Sequence, residues 1–88
     1  MKKQYEVVLT KEEQLQVAQD LRKDWYKKQF VGMSKRELVA FCEQCGFTYT
    51  YKETGHGVPY ALFIYAGGFA ATGIMYFDKH TRRVGKVM

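Results

Sequence analysis

The sequence predicts an α+β two-layer sandwich, with an antiparallel sheet of about three to five strands and two helices packed on one face. The order is β-α-α-β-β-β-β, in a single domain spanning residues 1–88. Three observations predict it. Two capping-box spacings precede helical repeats in the first half of the chain. Short runs rich in aromatic and β-branched residues alternate with glycine breaks in the second half. The length, 88 residues, leaves room for one modest core and no second domain.

"YEVVL" at residues 5–9 reads as a short strand. Thr10 and Glu13 then stand at the spacing that lets a hydroxyl receive an early helical amide while a carboxylate returns the bond. The predicted helix covers "KEEQLQVAQDLRKDWYKKQF", with Leu15, Ala18, Leu21 and Trp25 as its buried stripe and Gly32 beyond its end. Ser34 and Glu37 repeat the capping spacing and open a second helix, "KRELVAFCEQC". Leu38, Phe41 and Cys45 face inward there, and Gly46 is a natural stop.

"FTYTYKE" alternates strictly, so Phe47, Tyr49 and Tyr51 share one face of a strand and Thr48, Thr50 and Lys52 the other. Alternation does not say which face is buried. Residues 58–77, "VPYALFIYAGGFAATGIMYF", hold no charged side chain over 20 positions, the length of a membrane-spanning helix. Pro59, Gly67, Gly68 and Gly73 instead divide the run into two strand-like pieces. No membrane association is expected. "DKHT" then reads as a hairpin loop between "GIMYF" and "RRVGKV".

A composition of 47% hydrophobic and 26% charged residues with one proline excludes disordered and collagenous classes. Two cysteines are too few for a disulfide framework, and the only apolar run near the N-terminus, "VVL", is too short for a signal peptide core. A reducing, cytoplasmic location is the expectation.

Chemistry-bearing constellations are sparse. Cys42 and Cys45 pair with His56 and His80 only at a spacing foreign to zinc fingers, and they sit where a helix dipole opposes a thiolate. They read as small core residues. No phosphate loop is present, because "AGGFAATG" lacks the lysine and the helix one requires. No metal, no cofactor and no small-molecule substrate is expected. One histidine, His56, sits between glycines in a turn that would leave its ring reachable.

The segment "SKRELVAFCEQCGFTYTYKETGH" resembles the start of HicA-type toxins, small RNA-cleaving domains with a double-stranded-RNA-binding-like fold. The likeness lies in Ser34, Glu37, Leu38, Gly46, Phe47 and the step from Gly46 to His56, about a quarter of the chain. It implies His56 as a catalytic base. The sequence has Gly55 where that family has serine, and no C-terminal helix follows the sheet.

Charge placement offers the stronger thread. The net charge is +5; residues 22–36 carry six basic side chains and one acid, and residues 78–88 carry four and one. With aromatic rings on a sheet face left open by the helices, this pattern predicts a binding module rather than an enzyme. Nucleic acid is the first partner, its phosphates met by Lys27, Lys28, Lys35, Arg36, Arg82 and Arg83. Its bases would stack on rings such as Tyr49 and Tyr51, or Tyr60, Tyr65 and Tyr76 if the open face carries them. The alternatives are an inhibitor or adaptor that docks on an acidic protein surface and acts on a nucleic-acid-handling enzyme, a homodimer through the same face, and a HicA-like RNase using His56.

Overall fold

The computed structural model describes residues 9–67 and 70–88. The strand expected at residues 5–9 lies outside the described residues except for Leu9, which packs against the core. The architecture is an α+β sandwich, with helices α1 (Lys11–Asp20), α2 (Asp24–Lys27) and α3 (Lys35–Cys45) followed by strands β1 (Thr48–Glu53), β2 (Pro59–Tyr65), β3 (Gly73–Phe77) and β4 (Val84–Val87). The strands form one antiparallel meander in the order β1-β2-β3-β4.

Both capping boxes close. Thr10 accepts from the Glu13 N–H at 3.1 Å while the Glu13 carboxylate accepts from the Thr10 N–H at 2.9 Å. Ser34 and Glu37 do the same at 3.2 and 2.8 Å. Gly46 ends α3 with φ 77°, a left-handed conformation that glycine adopts at little cost.

One expectation fails between these caps. The helix expected over residues 11–30 breaks after α1: Lys23 turns extended, α2 follows, and a 3₁₀ turn completes Lys28–Phe30. A straight helix of that length would run about 30 Å, the width of a small domain. The break lets Leu21, Tyr26 and Phe30 all reach the same core. The predicted stripe therefore splits, with Leu21 fully buried but Leu15 61% and Trp25 57% exposed. Val17 takes the inward position on α1 instead.

The core lies between α3 and the face of the sheet that carries Leu62, Ile64, Met75, Phe77 and Val84, with Leu38, Cys42 and Cys45 descending from the helix. Edge-to-face aromatic contacts link Tyr26, Phe30, Phe41 and Phe47 at centroid distances of 5.4, 5.1 and 6.3 Å, stitching the broken helical segment to α3 and β1. The uncharged residues 58–77 form β2 and β3 at the centre of the sheet, and among the described residues no helix is long and apolar enough to cross a membrane.

The β3–β4 loop spans six residues, 78–83, where four were expected. Asp78 sets it, its carboxylate accepting from the N–H groups of His80 and Thr81 at 2.7 and 3.1 Å. Arg82 takes φ 60° to close it. Past the loop, residues 32–34 lie along the outer side of β4. The Gly32 N–H donates to the Val84 carbonyl at 2.8 Å, the Val84 N–H donates to the Met33 carbonyl at 2.9 Å, and Ser34 bridges to Arg83.

Those local bonds have a pH signature. The Ser34 N–H, with Arg83 adding to it, holds the Glu37 carboxyl below its ordinary pKa, and the Thr81 and His80 N–H groups do the same for Asp78. A depressed folded-state pKa contributes stability that is present above the unfolded value and lost as pH falls through the folded one. The thermal midpoint should therefore fall as pH drops below about 4. Glu37→Gln should flatten part of that acid limb in a calorimetric pH series, and an unchanged limb would count against the assignment.

Candidate nucleic-acid interface

Strand alternation assigns the two faces of the sheet. Leu62, Ile64, Met75 and Phe77 point to the helices, and Tyr49 packs against the core beside them. Tyr51, opposite Leu62 in register, shares that side. Its ring is covered by the Lys35 ammonium, 3.6 Å from the centroid. The two tyrosines singled out in β1 thus belong to the helix side of the sheet, not to its open face.

The opposite face carries Thr50 and Lys52 from β1, Phe63 and Tyr65 from β2, Ile74 and Tyr76 from β3, and Lys86 from β4. A bulge adds one more ring. Lys52 pairs with Ala61 and Glu53 with Pro59, so Tyr60 is the extra residue in β2. It is turned onto this face. There it meets Tyr76 edge-to-face at 6.0 Å and stays 51% exposed. Phe63, Tyr65, Ile74 and Tyr76 are half-buried, flanked by strand neighbours, and among the described residues no helix packs over them. The Lys52 ammonium sits 5.9 Å from the Phe63 centroid. None of the strand residues on this face is acidic.

The basic residues named from the sequence divide into three groups. Lys35, Arg36 and Arg82 line a groove of about 640 Å³ beside Tyr49 and Tyr51, on the helix side. Lys27 and Lys28 stand apart, with Asp24, Val31 and Val87 along the β4 edge. Arg83 is engaged in the fold: it donates to the Gly32 carbonyl at 2.9 Å and lies 3.7 Å from Glu37. Sequence reasoning missed Phe63, Lys52 and Lys86. Alternation sets Lys52 on the face opposite Tyr49 and Tyr51, but its proximity to Phe63 requires the cross-strand register.

His56 is exposed in the β1–β2 turn, its N–H donating to Thr54 Oγ1 at 3.3 Å. Its ring makes no hydrogen bond among the described residues, so no partner fixes a tautomer for proton transfer. Cys42 and Cys45 are buried. Burial pushes the Cys42 thiol up to about 12 and raises Cys45 as well, the opposite of what a reactive thiolate needs. Among the described residues no cluster of three metal-ligating side chains occurs.

Comparison of the chain with known protein families, curated proteins and solved structures gives no match.

Proposed function

We propose that this protein is a binding module for single-stranded nucleic acid, and that it receives unpaired bases on the open face of its sheet. The carrying observation is that face: Tyr60, Phe63, Tyr65 and Tyr76 together with Lys52 and Lys86, and no carboxylate among its strand residues. Every base offers a π-face, so rings spaced along neighbouring strands stack bases with little sequence preference. The lysines meet the phosphates that run past the rings, and the net charge of +5 favours encounter with a polyanion. Paired bases cannot reach the rings, so single strands bind better than duplexes.

Fluorescence anisotropy with a labelled oligothymidylate and the matching duplex, over a salt series, tests this reading. Two lysine–phosphate contacts on a single strand give a slope of about −1.4 in log affinity against log salt. Lys86→Gln should reduce that slope by about 0.7. Equal affinity for the duplex, or no binding at low salt, would remove the proposal.

A further inference from the structure

Among the described residues, the outer edge of β1 is a second feature left open. β1 pairs with β2 on its inner side, and among the described residues nothing pairs with its outer side. All of its residues except Tyr49 are exposed. Every second N–H and C=O along this strand therefore points outward, a template for another strand. The groove of about 640 Å³ lies along the same strand, walled by α3, with Val39, Ala40 and Tyr49 in its lining and Lys35, Arg36 and Arg82 as its charged groups. No carboxylate lines it.

We infer that this groove accepts an extended segment of an acidic polypeptide, which adds to β1 as a fifth strand. The chemistry of the edge selects the class of partner. Outward N–H and C=O groups alternate along β1, and only another peptide backbone returns a donor and an acceptor at that spacing. A phosphodiester chain offers acceptors alone and would leave the outward carbonyls facing like charge. The lining then selects composition at every second position, the ones that face the groove: apolar side chains there meet Val39 and Ala40, and carboxylates there meet Lys35, Arg36 and Arg82. The site lies on the helix side of the sheet and does not depend on the nucleic-acid reading of the other face.

The test uses the full chain and a labelled ten-residue peptide, Thr-Val-Thr-Glu-Thr-Val-Thr-Glu-Thr-Val, whose groove-facing positions carry both Val and Glu, with anisotropy for affinity and amide hydrogen exchange for location. Binding should slow exchange in Thr48–Glu53 by about tenfold or more at saturating peptide, and Arg36→Ala with Arg82→Gly should weaken affinity about tenfold. Glycine suits the φ of 60° at Arg82, so that substitution removes the charge without straining the loop. The same peptide with alternate backbone nitrogens methylated should not bind, because methylation deletes the main-chain donors. Phe63→Ala, on the other face, should leave peptide affinity unchanged.

Four results would overturn the inference: no binding of the acidic peptide, equal binding of the methylated peptide or of the same peptide with Lys in place of Glu, slowed exchange only outside β1, and displacement by an oligothymidylate that itself protects β1. Concentration-dependent protection of β1 without peptide would do so as well, since a second copy would then be the occupant.

Discussion

Alanine at both Phe63 and Tyr76 is expected to reduce affinity for oligothymidylate on the order of a hundredfold or more, with the fold intact. Each base–ring stack contributes about 1–3 kcal/mol by alanine substitution, and these two rings lie on adjacent central strands of the open face. Neither belongs to the buried core, so the change removes contact surface for a ligand rather than packing. Tyr60 meets Tyr76 edge-to-face, and Lys52 stands near Phe63, so the double variant also dissolves the arrangement that orders the rest of the face. Anisotropy checks the affinity, and circular dichroism with a thermal melt checks the fold. A folded variant that binds within about threefold of the parent would show that the bases, if bound, lie elsewhere.

Leu62→Ala should be the most damaging single change to stability, costing about 2–5 kcal/mol. Leu62 is fully buried on β2, a central strand, opposite Tyr51 on one side and Met75 on the other. A domain of 88 residues holds roughly 4–13 kcal/mol in total at ordinary stability per residue. The loss is therefore a large share of what keeps the chain folded. Leu15→Ala supplies the contrast, because Leu15 is 61% exposed and its removal should change stability by less than about 0.5 kcal/mol. Urea midpoints for the two variants decide the point, and equal effects would mean that the register of β2 or the orientation of α1 is wrong.

What the sequence made legible is what local bonds determine. The caps at Thr10 and Ser34, the glycine stop at Gly46 and the two central strands within the uncharged run each follow from residues within a few positions of one another. What it hid depends on partners far along the chain. The break after α1 exists because Leu21, Tyr26 and Phe30 converge on one core, although the residue pattern of 11–30 supports continuous helix. Strict alternation put Phe47, Tyr49 and Tyr51 on one face but could not choose the helix side, which the packing against α3 decides. Tyr60 reaches the open face through a bulge whose existence depends on the pairing of β1 with β2. Arg83 looked like a free cation and is instead tied to Gly32, 51 positions away.

The two margins of the sheet are unlike. β4 is short, its first residue is bonded to residues 32 and 33, and Lys27 and Lys28 stand beside it. Runaway fibrillar growth needs a subunit that is sticky at both ends, so that each addition regenerates an acceptor. Among the described residues the sheet is guarded on one margin and has a valence of one: it can terminate a ribbon of strands but cannot relay it.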